Sequence, residues 1–331
     1  MTKNRIQILK EKMLSQPRYV SIEQALIITK TYKQHENEPI ILKRAYALAN
    51  ALRELEIGIE NEELIVGNRT KGVRYGVVFP ESGISWVDRE FETISTRKQD
   101  KFLVRDEDIK IFREQIVPYW KGKSLEDVIK QNFGKEISAI NKVVKINQTD
   151  HAQGHICPNV EKWLQKGVSG LLEDAQNHYK NADEDKKNFY QAIIIVMKAV
   201  QNFMLRYHDL LIATAKDDEK NRASLIKVAD ICKNISQRPP QTFHEAVQAT
   251  WFLFVILHME SNASSFSPGR LDKILYPYYI KDIENNILTK DEALEIIECL
   301  WLKFNEIVYL RNQHSAKYFA GFPIGFNIAV G

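Results

Sequence analysis

Cysteine is scarce. The 331 residues contain three, at positions 157, 232 and 299, with no CxxC pair and no spaced framework. That excludes a disulfide-stapled scaffold and points to a reduced, cytoplasmic setting. Charge of one sign is also lacking: 46 Lys and Arg against 43 Asp and Glu leave +3. So small an excess predicts no nucleic-acid partner from electrostatics alone. The longest apolar run, around 249–259, is too short to span a bilayer and reads as a buried helix. The opening MTKNRIQILKEKML is charged throughout and has no apolar h-region, so no signal peptide is expected. Glycine (14) and proline (10) are few, so little punctuates the chain. What is present is ordinary globular composition, 44% hydrophobic and 27% charged, which rules out a disordered or fibrous protein.

Between the breakers the apolar residues recur at helical spacing. Ile6, Leu9, Met13 and Leu14 predict a first helix ending near Pro17. Ser21, followed by Glu23 and Gln24, reads as the start of a second, and Pro39 opens a third through Leu52. Residues 63–78 differ: Leu64-Ile65-Val66-Gly67 and Val77-Val78-Phe79-Pro80 are short apolar runs between turns, either strands or extended loops. Helices are expected again over 106–120, after Ser124, from Glu161, over 189–215, over 221–232 and over 242–260. Thr289 caps another, with Asp291 and Glu292 in its first turn. The expectation is a mainly α-helical chain, 1–331, with no repeat, linker or internal domain boundary. The last run, 318–331, alternates aromatic, small and apolar residues, as if the chain stops inside a fold.

Two polar clusters carry the candidate chemistry. Asp150-His151-Ala152-Gln153-Gly154-His155 gathers two imidazoles, a carboxylate and an amide beside a glycine. On a helix His151 and His155 would share a face and a metal, but Gly154 favours a loop and no third ligand is near. A substrate-contacting loop competes with a hydrogen-bonded structural turn. The second cluster, residues 260–272, follows the most apolar helix, which would deliver Ser264 and Ser265 into the interior. Arg270 and Asp272 are expected to form a local ion pair that pins its turn. His244-Glu245 begins an HExxH pattern, but position 248 is Gln, so the second ligand is missing. His258 reads as a satisfied core histidine. Cys232 and Cys299 lie on apolar helical stripes, where thiols are inert; Cys157, close to His155, stays open as a nucleophile.

At these residues the sequence resembles the N-terminal part of the glycyl radical enzymes, the family of pyruvate formate-lyase and of glycerol, choline and hydroxyproline lyases. The landmarks run in order along the whole chain. They are Glu63-Leu64-Ile65-Val66-Gly67-Asn68, Phe79-Pro80-Glu81, Pro118-Tyr119-Trp120-Lys121-Gly122-Lys123 and Gly154-His155. Pro240-Gln241-Thr242-Phe243-His244-Glu245-Ala246, Ser267-Pro268-Gly269-Arg270-Leu271-Asp272 and Phe319-Ala320-Gly321-Phe322-Pro323 complete them. Asn147-Gln148-Thr149-Asp150 together with 260–265 resembles the formate acetyltransferase 2 branch. The resemblance implies a ten-stranded α/β barrel wrapped by helices. A C-terminal glycine stores a radical there, and a central cysteine becomes the thiyl that abstracts substrate hydrogen. By the same resemblance Gln153, His155, Ser264 and Ser265 are substrate-binding residues, and His155 is a possible proton donor.

Neither a Gly-Cys-Val-Glu loop nor an Arg-Val-Ala-Gly-Tyr segment occurs in the 331 residues, and no cysteine stands in the right context. The resemblance therefore implies a fragment, inactive alone, that binds no cofactor itself; the glycyl radical belongs to the full-length enzyme. Its implied partners are the C-terminal half, a radical-SAM activating enzyme, a small-molecule substrate and a second copy of itself, with no nucleic acid, membrane or metal. Without the barrel, residues 242–259 and 324–330 are expected to lose their cover and promote self-association. The alternative from another class is a non-catalytic helical binding or scaffold protein derived from such an enzyme. The reading frame downstream of Gly331 discriminates the two.

Overall fold

The computed structural model describes residues 4–144, 149–152, 154–319 and 325–331. The helices in order are α1 (Arg5–Ser15), α2 (Glu23–Gln34), α3 (Ile40–Glu54), α4 (Ser85–Glu90) and α5 (Asp106–Ile111). A π-helical turn, Phe112–Ile116, joins α5 to α6 (Val117–Trp120), and α7 (Leu125–Ile140) follows. The second half holds α8 (Val160–Lys180), α9 (Glu184–Asp217), α10 (Arg222–Gln237) and α11 (Phe243–Glu260). Then come α12 (Leu271–Glu284), α13 (Lys290–Lys303) and α14 (Gln313–Phe319). Among the described residues the one sheet is a two-residue parallel pair, β1 (Val20–Ser21) on β2 (Gly76–Val77). Ser21 is thus a strand residue and not a cap, its carbonyl accepting from Val78 N–H (3.0 Å); the N-cap position of α2 is Ile22, whose side chain has no acceptor to offer.

The long helix α9 is the spine. Ala192, Ala199, Phe203, Tyr207 and Leu211 form its buried stripe, and α3, α8 and α10 pack around it. Helix α8 bends at Gly167, whose φ of 63° fits glycine alone; a Cβ there would stand 2.9 Å from the Pro239 backbone. Helix α11 runs through the middle with nearly every side chain from Phe243 to Met259 buried. The expected loss of cover over 242–259 is therefore corrected: α3, α8, α10, α12 and α13 of this same chain enclose it. Of the residues after 325, Phe326 packs on Phe254 and Phe304 and Ile328 on the same core, while Val330 stays 70% exposed.

Helix α11 also explains its own polar residues. Residues 64–67 pass beside it as extended backbone without a partner strand, and unpaired peptide groups in an interior cost about 1–3 kcal/mol each. His244 Nε2 donates to the Leu64 carbonyl (2.6 Å). Gln248 pairs with both groups of Val66 (2.9 and 2.7 Å), and Trp251 Nε1 donates to Gly67 (2.8 Å). Positions 244, 248 and 251 share one helix face, so the incomplete HExxH pattern is a backbone clamp. Farther along, Arg69 is buried and donates to the carbonyls of His258 (3.3 Å) and Val308.

Candidate functional site

At the C-terminal end of α11 the chain turns back on itself and meets two distant segments. The N–H of His155 donates to the Ser264 carbonyl (2.9 Å), and the N–H of Ser267 donates to Ile156 (2.9 Å). Ile156 and Phe266 form a parallel bridge, as do Gly269 and Ile328. Three extended segments therefore lie side by side: 154–157, 264–269 and 325–331. Gly154 makes the contact possible. A Cβ there would lie 2.6 Å from the Ser264 carbonyl carbon and 2.8 Å from its nitrogen, and would overlap its oxygen outright. No side chain fits. His155 and Ser265 are both left-handed, with φ of 63° and 65°, a conformation that costs non-glycine residues about 1–3 kcal/mol and clusters at functional sites.

Side-chain bonds fix these segments from behind. Asn262 Oδ1 accepts from Ala152 N–H (2.9 Å) and from Ser82 Oγ (3.1 Å). Asp150 is buried, accepting from Asn312 Nδ2 (2.7 Å) and pairing with His151 Nδ1 (2.9 Å). The carboxylate accepts from His151 Nδ1–H and so fixes the orientation of the ring. Asp150, His151, Asn262, Ser264 and Tyr309 line a cavity of about 20 Å3, room for a water and not for a metabolite. Ser265 is buried and its hydroxyl donates to Gly325 (2.6 Å), so Ser264, half-buried, is the serine of the pair that lines this cavity. The His155 ring is exposed, on the open side of the same pairing.

The description "pyruvate formate lyase-like" belongs to a family model that matches residues 1–331. The chain is a member of that family of glycyl radical enzymes. Among curated relatives, the probable dehydratase YbiW of Escherichia coli is 34% identical over 325 residues, covering 94% of this chain and 40% of that protein. The trans-4-hydroxy-L-proline dehydratase of Clostridioides difficile is 30% identical, covering 92% and 40%. Among solved structures, the glycerol-bound B12-independent glycerol dehydratase of Clostridium butyricum superposes with a TM-score of 0.93 at 32% identity. It covers 100% of this chain and 44% of that one. The chain thus spans about two fifths of the length of these relatives, and its mainly helical structure is the N-terminal part of the glycyl radical enzyme fold.

Within the family frame the landmarks gain physical reasons. Gly154-His155 is the close approach onto Ser264. Ser267-Pro268-Gly269-Arg270-Leu271-Asp272 turns the chain from the extended segment into α12, where Arg270 grips Asp272 through two bonds (3.0 and 2.9 Å). Asp272 also accepts from the N–H of Gly331 (3.2 Å), which ties the third segment to the second. The Arg270 guanidinium holds the Asp272 carboxyl well below the usual range. Gln153, Asn147, Gln148 and residues 320–323 of the last landmark lie outside the described residues.

His151 and His155 lie on irregular backbone and not on one helix face. Cys157 is exposed, with its Sγ beside Gly269, whereas burial pushes the Cys232 thiol far up and that of Cys299 up to about 12. Sequence reasoning missed the supporting residues: Asp150 as anchor, Asn262, Asn312 and Ser82. Their partners are up to 180 positions away (Ser82 to Asn262), so no local pattern marks them.

Proposed function

We propose that the chain forms one wall of the substrate chamber of a glycyl radical dehydratase or lyase acting on a small polar metabolite, and that it is inactive without the rest of that enzyme. The observation that carries the reading is the backbone pairing of His155 with Ser264, more than a hundred positions apart, on an exposed edge where both flanking backbones are left-handed. Such conformations persist only where the surroundings over-determine them. The relatives named above eliminate water from hydroxylated substrates, which favours elimination over acyl transfer to coenzyme A. Bond cleavage draws on a thiyl and a glycyl radical whose motifs are not in residues 1–331. The chain's own residues bind and orient. His155, Ser264 and Gln153 hold the substrate's polar group so that its reacting hydrogen faces away from the wall, where small misplacements lower rate steeply. His155 also donates a proton to the departing hydroxyl. A C-terminal part, an activating enzyme and a second copy complete the assembly.

The test uses the assembled enzyme. His155→Ala should lower turnover of a vicinal diol such as glycerol or 1,2-propanediol by about a hundredfold or more. Glycyl radical content by electron paramagnetic resonance should stay unchanged. Near-normal turnover at normal radical content overturns the assignment.

A further inference from the structure

The short parallel sheet brings two arginines together. In the pairing of β1 with β2, Val20 stands beside Gly76, and Gly76 N–H donates to the Tyr19 carbonyl (2.8 Å). Counting back in the same register sets Arg18 beside Arg74. The Arg18 guanidinium lies 4.0 Å over the Phe102 ring, and its Nη2 donates to Asp100 Oδ1 (2.8 Å). The second oxygen of Asp100 accepts from Arg97 Nη2 (3.3 Å). Arg97 is otherwise spent on the carbonyls of Asp100 (2.9 Å) and Arg311 (2.7 Å), with Glu90 3.8 Å away. One carboxylate thus serves two guanidiniums, each oxygen taking one, while Arg74 stands next to them.

The Arg74 side chain makes no hydrogen bond, ion pair or ring contact with another described residue. It is half-buried, yet none of its nitrogens is sealed from solvent. Burial, and then the neighbouring Arg18 charge, lower its proton affinity from the ordinary arginine value, with Asp100 opposing them. The loop that carries it is rigidly held. Arg74 is left-handed (φ 60°), as is Asp100 (φ 53°), and Arg74 N–H is fixed to the Glu306 carbonyl (2.8 Å). Such backbone persists only where its surroundings over-determine it, and it clusters at ligand clamps. Two like charges side by side, one of them without a counterpart, call for an anion. That anion meets Arg74 from one segment and, from the next, Arg18 Nη1, which is neither bonded within the described residues nor sealed. A planar carboxylate is matched by a single guanidinium fork, whereas a tetrahedral oxyanion with close to two charges can accept from two forks in different directions. We propose that Arg74 and Arg18 bind a phosphate group, with Arg74 as its principal donor and Asp100 holding Arg18 in place. The site is separate from the wall at Ser264 and does not depend on the function proposed for that wall.

The experiment titrates the purified chain, at constant ionic strength and neutral pH, with inorganic phosphate and separately with glycerol 3-phosphate. It follows the Nε–H resonance of Arg74 in arginine-labelled protein, assigned by its loss in Arg74→Gln, together with the thermal midpoint. A saturable shift of that resonance and a rise in midpoint are expected. The tighter of the two ligands identifies the source as free or esterified phosphate. Acetate, planar and singly charged, should bind about tenfold more weakly or less. Arg74→Gln should abolish the midpoint response. Arg74→Lys keeps the charge without the fork and should weaken binding about tenfold; it also supplies the assignment and the comparison if Arg74→Gln folds poorly. No saturable shift with either phosphate, an equal response to acetate, or an undiminished response in both variants overturns the proposal.

Discussion

Two extended segments lie beside α11, and they are finished in opposite ways. Residues 63–69 are enclosed. His244, Gln248 and Trp251 take their backbone groups, the Tyr207 hydroxyl accepts from Asn68 N–H (3.0 Å), and Lys303 bridges Glu63 (2.8 Å) and Glu306 (2.7 Å). Residues 154–157 are held on one side only, by Ser264 and Ser267, with Ile156 45% exposed and the His155 ring in the open. The polar groups of the enclosed segment end on partners within the chain, whereas the open segment leaves the His155 ring exposed on a left-handed residue.

The comparison breaks hardest at Lys303. Its ammonium is buried between two carboxylates that hold it well above the usual lysine range. Lys303→Ala leaves Glu63 and Glu306 uncompensated in the interior, and removal of one member of such a group costs about 3–5 kcal/mol. The urea midpoint should fall accordingly. A loss below about 1 kcal/mol would mean that the enclosed segment does not depend on its ion cluster.

A substitution in the open segment should act locally. Gly154→Ala cannot coexist with the Ser264 carbonyl, so the 154–157 pairing must open while the helical body stays. Amide exchange at His155 and Ser267 should accelerate about thirtyfold, equivalent to ~2 kcal/mol, with the exchange of α9 and α11 unchanged. Loss of protection throughout α11 would show that the two segments are one cooperative unit.

Much of the body was legible because its helices are long, amphipathic and capped. Thr289 and Glu292 form the expected reciprocal cap, and Ser124 accepts from Asp127 N–H as its position implied. Helix α12 escaped notice because Pro277 and three tyrosines blur its apolar spacing. The site was legible only in part. Gly154 marks a close approach, but what it approaches lies more than a hundred positions on. His244 and Gln248 have the spacing of ligands; their common face meets backbone, which side-chain periodicity does not report. Asn262 and Asn312 carry no pattern at all, since a buried amide's partner is set by the tertiary fold.

The smallest expected effect separates the two regions by pH. Among the core histidines, burial lowers His244 to about 4 and His258 to about 3. Their contribution is complete above the unfolded value near 6.5 and is lost as the pH falls through 4 to 3. A carboxyl close to the C-terminal end of α11 carries the opposite sensitivity. Glu81 precedes Ser82, which anchors Asn262 behind the site, and its Oε2 has no partner among the described residues. Burial raises this carboxyl to about 7, against the smaller lowering effects of its own N–H and of Arg44. A carboxyl raised in the folded state favours folding at pH below about 4.5 and loses that contribution as the pH rises through 7. Glu81→Gln keeps the shape and removes the proton. The variant should match the parent near pH 4.5 and exceed it by about 1 kcal/mol at pH 8, a figure kept well under the full shift because the residue is partly exposed. The acid limb set by the two histidines should be unchanged. Parallel pH profiles for the two proteins from 4.5 to 8 would remove Glu81 from the account and leave the rim without a titrating group of its own.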